Sequence, residues 1–176
     1  GDVYKRQPGG TPIGERIRSI ILDRDCAEMD DMTEAMLYAA ARAQHVVQVI
    51  RPALLAGKIV ICDRFVDSSI AYQGYGRGLG EAVSVINDYA VCGCLPDVTF
   101  LMKMDPRVGR RRINVQQQDR LERGKDDFHV RTYEGYLELE KKYPGRIVGI
   151  DAARSIEEIK IDIYKKLEEV LKGVTE

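Results

Sequence analysis

Apolar positions change their period several times along the chain, and each change marks an element. Ile13, Ile17, Ile20 and Ile21 recur at helical spacing, which predicts an amphipathic helix from about Pro12 to Asp23. Met32, Met36, Ala39, Ala43, Val46 and Ile50 alternate steps of four and three, which predicts a longer helix that Gly57 ends and Pro52 bends or interrupts. The runs "KIVIC", "PDVTFLMKM" and "GRIVGID" are short and apolar without helical gaps, as expected of strands buried on both faces of a parallel sheet. Helical patterns follow the second run, from Pro106 to about Gln117, and the third, from Ser155 to about Lys172. One more helix is expected from roughly Asp127 to Tyr143. This alternation predicts an open α/β fold with a parallel sheet.

A length of 176 residues, 44% of them hydrophobic, suffices for one well-buried domain and is short for two. The formal net charge of -1 gives no overall pull toward nucleic acid or an anionic membrane, so an anionic ligand must be held by a local cluster of basic residues. Small-molecule partners are expected. Cys26, Cys62, Cys92 and Cys94 make no C-x-x-C pair and stand at no zinc-finger spacing with His45 or His129. They are expected to be reduced, mostly buried thiols, which fits a cytoplasmic protein. No run of 18 apolar residues and no charged-then-apolar leader occurs, so neither a membrane span nor a secretory signal is expected.

In open α/β folds ligands bind at the carboxyl ends of the strands, and Asp63 and Arg64 stand at the end of "KIVIC". An arginine there offers a fork for two phosphate oxygens, and the adjacent carboxylate can hold a cation's water shell. The same pair also reads as a cap or salt bridge closing the strand. Ser68, Ser69, Tyr72 and Gln73 follow at spacings that put several of them on one turn of a short helix beginning near Asp67, where hydroxyls and an amide could read a sugar and a base edge. Gly74, Gly76, Gly78 and Gly80 read as a flexible loop and make no phosphate cradle. Tyr38 and Arg42, four apart on the long helix, share a face. They suit either a planar base or the edge of the core.

The segments "PGGTPIGERIRSIILD", "TEAMLYAAARAQHV", "ICDRFVDSSIAYQGYGRGLG" and "RTYEGYLELEKKYPGRIVGIDA" together closely resemble the bacterial thymidylate kinase (dTMP kinase) family of P-loop nucleoside monophosphate kinases, from Pro8 to about Val170. The resemblance implies a three-layer P-loop kinase-type fold over residues 8–176 with a lid near 110–127. It implies transfer of a phosphoryl group from ATP to the 5′-phosphate of dTMP, with Mg2+, by a homodimer. By matching positions, Arg64 grips the dTMP phosphate, Asp63 organises magnesium-bound water, and Arg18 lies toward the phosphate. Tyr38, where the family often has Phe, stacks on thymine. Arg42 and Gln73 contact the base edge, Ser69 lines the pocket, and Tyr72 crowds the sugar's 2′ carbon, favouring deoxyribose. In "RRRINVQQQDRLE", which resembles the lid, Arg120 is the first candidate for a catalytic arginine and Arg112 the second.

One departure is plain: no G-x-x-x-x-G-K-[ST] occurs in the 176 residues, although that loop holds the ATP phosphates in the family. The expectation is a chain that lacks the family's first strand, P-loop and first helix, opens with an atypical or foreign "GDVYKRQ" over residues 1–7, and is inactive and poorly folded alone. Two other readings stand beside it: a kinase for another nucleoside monophosphate or for a deoxynucleoside, and a non-catalytic dTMP-binding or dimerisation module.

Overall fold

The computed structural model describes residues 3–6, 8–105, 108 and 126–174. Strand β1 (Val3–Arg6) pairs in parallel with β2 (Val60–Asp63), Val3 opposite Val60 and Arg6 opposite Asp63. The apolar pattern assigned no element to residues 3–6. Between these strands lie α1 (Pro12–Leu22), α2 (Asp31–His45) and α3 (Arg51–Leu55). Thr11 caps α1 by accepting from the Gly14 amide, and Pro12 opens the helix where no amide donor is needed. Asp30 caps α2 by accepting from Met32 and Thr33.

Pro52 does not interrupt the long helix. A π-helical turn over Val46–Ile50 joins α2 to α3, and the Arg51 amide reaches back five residues to the Val46 carbonyl, so the wider turn accommodates the donor that proline lacks. Gly57 ends the run as expected. At φ 68° it allows its own amide to bond the Leu54 carbonyl and the Lys58 amide the Ala53 carbonyl, the paired bonds of a Schellman cap.

After β2 come α4 (Val66–Ser69), a second π-helical turn (Ile70–Gly76) and α5 (Glu81–Val91). Strand β3 (Thr99–Lys103) pairs in parallel with β4 (Ile147–Asp151), α6 (Asp126–Lys142) lies between them in sequence, and α7 (Ile156–Val174) follows. Ser155 and Glu158 exchange bonds at the start of α7, the Ser155 amide to the Glu158 carboxylate and the Glu158 amide to the Ser155 hydroxyl. This is a capping box. The expected helix from Pro106 to about Gln117 lies almost wholly outside the described residues.

The described residues form two compact units, one reaching Leu95 and taking in the start of α6 up to Gly135, the other beginning at Pro96 and resuming at Tyr136. In the first, Val46, Ile50 and Val91 form a buried cluster with Val60, Cys62, Phe65 and Cys94 packed against it. In the second, Leu139, Ile147 and Ile150 are buried, and Lys103 pairs with Glu140 at 3.0 Å.

Several expectations about burial are corrected. The strands are not buried on both faces: Ile61 of β2 and Met102 of β3 are about half exposed, and each strand has one strand neighbour among the described residues. Ile13, Ile20 and Met36, placed by periodicity on core faces, are also exposed, whereas Ile21 is fully buried. None of the four cysteines is fully buried: Cys26, Cys62 and Cys94 are half-buried and Cys92 is exposed, and all are free thiols as expected. Gly74 and Gly76 belong to the second π-helical turn instead of a loop, because α6 passes so close to Gly76 that a methyl group there would lie 2.6 Å from Thr132 Oγ1.

Candidate functional site

The buried residues of α2 mix small apolar side chains, Ala35, Ala39 and Ala41, with polar ones. Glu34, Arg42 and His45 are 0, 2 and 0% exposed, which is rare for polar and charged side chains unless they find partners. Arg42 finds three. Its guanidinium donates to Asn87 Oδ1 on α5, to Ser69 Oγ on α4 at 3.0 Å and to the Phe65 carbonyl at 3.2 Å. Asn87 is itself held by its amide donating to the Val83 carbonyl at 2.8 Å. Burial pushes the Arg42 pKa down to about 10, with nearby Cys62, Tyr38 and Asp67 opposing the shift, so the group stays cationic at neutral pH.

Glu34, two turns earlier, accepts from Gln73 Nε2 at 2.9 Å and from Arg77 Nη2 at 2.9 Å and Nε at 3.3 Å. Arg77 also pairs with Asp31 at 3.2 Å, and its guanidinium lies 4.7 Å over the Phe128 ring. Phe128 in turn meets Tyr72 edge-on at 5.9 Å. Arg131 closes the cluster from α6 by donating two bonds to the Gly76 carbonyl, at 3.1 and 2.8 Å.

At the carboxyl end of β2, Asp63 is half-buried and Arg64 exposed. Arg64 has φ 63°, the left-handed region that a non-glycine residue enters only at a cost, and its guanidinium lies 5.2 Å over the Tyr72 ring. Burial raises the neighbouring Cys62 thiol to about 11 despite the nearby Arg42 guanidinium.

The structure therefore brings most of the sequence-predicted residues together. Arg42 and Ser69 are bonded, Arg64 and Tyr72 are stacked, Gln73 joins the cluster through Glu34, and Tyr38 sits half-buried one turn before Arg42. Arg18, half-buried on α1, donates to the Pro8 carbonyl at 2.9 Å. Arg112 and Arg120 lie outside the described residues. Glu34, Arg77 and Asn87 were not singled out beforehand. Glu34 stands four residues before Tyr38 and eight before Arg42, and Asn87 interrupts the apolar step from Val83 to Val91, so a polar residue repeating on a packed face was the available signal. Among the described residues no group of three His, Cys, Asp or Glu side chains could hold a metal by itself.

A guanidinium and a carboxylate at the end of a parallel strand, beside buried amide, hydroxyl and guanidinium groups, are features found in α/β proteins that take small anionic ligands. The thymidylate kinase family model matches residues 2–163. The chain is 49% identical over 173 residues to the thymidylate kinase of Halalkalibacterium halodurans, covering 96% of this chain and 82% of that protein. It is 52% identical over 161 residues to the thymidylate kinase of Latilactobacillus sakei, with 89% and 75% covered. The corresponding protein of Pediococcus pentosaceus is 49% identical over 170 residues, with 94% and 81% covered. The chain belongs to the thymidylate kinase family.

Proposed function

We propose that the cluster is the dTMP site of a thymidylate kinase, in which an oxygen of the dTMP 5′-phosphate attacks the γ-phosphorus of ATP, giving dTDP and releasing ADP. The observation that carries the reading is the grouping of Arg42, Ser69 and Gln73 in one buried polar cluster, with the stacked Arg64 and Tyr72 at the strand end beside it. Arg64 holds the phosphate by its fork, Arg18 supports it, Tyr38 stacks on thymine, and Arg42 and Gln73 read the base edge. Ser69 lines the pocket, and Tyr72 fills the space that a 2′-hydroxyl would need.

Phosphoryl transfer is catalysed mainly by positioning and by neutralising charge on the moving group. Arg120, with Arg112 second, is the lid arginine for that role. Mg2+ suits a lone carboxylate such as Asp63, because it keeps most of its waters and takes its other ligands from nucleotide phosphates. When bound it shields the charge on those phosphates. Each parallel strand pair and its helices fit the three-layer P-loop kinase-type fold, and we place the enzyme in the cytoplasm as a homodimer.

Calorimetric titration with dTMP and with thymidine tests the site. An arginine–phosphate bond contributes about 1.5–3 kcal/mol, so thymidine should bind about 10- to 100-fold more weakly, and Arg64→Ala should sharply narrow that difference. Equal losses for both ligands on Arg64→Ala would remove Arg64 from the phosphate.

A further inference from the structure

We infer that Glu34 is a positioning residue that sets which base the site accepts, by holding the Gln73 amide in one orientation. This rests on the reading of Gln73 as a base contact. Glu34 is fully buried and Gln73 is 1% exposed, so neither can trade its partner for water. A carboxylate offers only acceptors. The nitrogen of the Gln73 amide must therefore face it, as it does at 2.9 Å. Nitrogen and oxygen lie on opposite branches of a planar amide, so fixing the nitrogen on Glu34 turns the oxygen away from it.

Gln73 thus presents its oxygen, an acceptor, on the side away from Glu34, with its second amide N–H remaining on the nitrogen. An acceptor matches a ring N–H, which thymine and uracil carry at N3. Cytosine presents a bare N3 there, and two acceptors facing each other leave both unsatisfied. The selected class is a base with a ring N–H beside a carbonyl. Arg77 bonds the same carboxylate, but it anchors Glu34 and does not orient the amide.

The test is the ratio of dCMP to dTMP dissociation constants, by calorimetry, for the wild-type chain and for Glu34→Gln, Gln73→Ala and Arg77→Met. An amide at position 34 can donate or accept, so Gln73 is freed to turn its nitrogen toward the base. Glu34→Gln should then lower the ratio at least about tenfold, the worth of one buried hydrogen bond. Arg77→Met should melt at a lower temperature with the ratio unchanged.

If Gln73→Ala collapses the ratio and Glu34→Gln does not, the positioning role is wrong while the base contact stands. If neither moves it, or dTMP does not bind, the base contact itself is wrong. An equal fall on Arg77→Met would also overturn the inference, assigning the effect to the ion pair. Should Glu34→Gln fail to fold, side-chain amide exchange by NMR decides on the wild-type chain. A Gln73 amide protected with and without dTMP supports the inference, and one exchanging like a solvated amide overturns it.

Discussion

Replacing Gly76 by alanine tests how firmly α6 is seated against the turn that carries Tyr72 and Gln73. The added methyl would lie 2.6 Å from Thr132 Oγ1 and 2.7 Å from Phe128 Cε2. Neither neighbour can swing aside: Thr132 is 5% and Phe128 4% exposed, and the Thr132 hydroxyl donates to the Phe128 carbonyl at 2.8 Å. Overpacking of this kind costs about 1–3 kcal/mol. Against it stands the gain from replacing glycine inside a helical segment, about 0.5–1 kcal/mol. With both side chains pinned, the cost should fall in the upper part of its range, for a net loss of about 1–2 kcal/mol, or roughly 2–8 °C in melting temperature for a chain of this size.

Gly74→Ala is the internal control. Its methyl would meet the Gly80 carbonyl oxygen at 3.4 Å and nothing closer, so the helical gain should survive and the chain should melt at an unchanged or slightly higher temperature. Thermal unfolding followed by circular dichroism separates the two variants. Equal melting temperatures would refute the reasoning, because they would mean that α6 moves away at no cost. Since Phe128 touches both Tyr72 and Arg77, the Gly76 variant should also bind dTMP more weakly than the Gly74 variant does.

Three further outcomes are expected. Gln73→Ala should remove one base contact and weaken dTMP binding about tenfold, measured by calorimetry. Arg64→Gly should remove the cost of a non-glycine residue at φ 63°, about 1–2 kcal/mol less the glycine entropy penalty, so unfolding curves should show no loss of stability although dTMP binding falls. Cys62, with its thiol raised to about 11 by burial, should carry roughly one thiolate in a thousand at pH 8 and be labelled far more slowly by a thiol reagent than exposed Cys92. A folded-state acid pKa raised in this way also means that the Cys62 contribution to stability is lost as pH rises from the ordinary thiol range toward 11.

Strands β2, β3 and β4 were legible because apolar runs without a helical gap permit little else, and Gly57 and Ser155 were legible as a cap and a helix start for local reasons of backbone freedom and hydrogen bonding. The inward face of α2 was legible only in part. Periodicity chose Ala39, Val46 and Ile50, which are buried, but also Met36, which is about half exposed, and it gave no sign that Glu34 and His45 are buried. Apolar patterning assumes that a buried position gains by avoiding water, yet Arg42 and Glu34 gain instead from partners on α4, α5 and the π-helical turn, which lie 27 to 45 residues away in sequence. No local window contains that information. The two π-helical turns were missed for a similar reason: Pro52 announces a lost donor but not whether the helix breaks or widens, and Gly76 reads as a loop until the approach of Phe128 and Thr132 is known.

A core built from Arg42, Glu34, Gln73 and Asn87 is not the most stable way to pack α2 against α4 and α5. Buried charges contribute little net stability after desolvation, and apolar residues of similar volume often do as well or better. The lowered pKa of Arg42 registers that desolvation cost directly. What the polar packing adds is direction, since each bond fixes which donor or acceptor remains for a ligand. Arg42 Nε is buried with no hydrogen bond among the described residues, and an orphaned donor of this kind costs about 1–3 kcal/mol until something accepts from it. On the proposed reading, a ligand carbonyl that reached it would recover that cost on binding, while the Gln73 amide would select for a ring N–H. The stability given up in the ligand-free chain is then returned selectively, to a base carrying both groups in the right order.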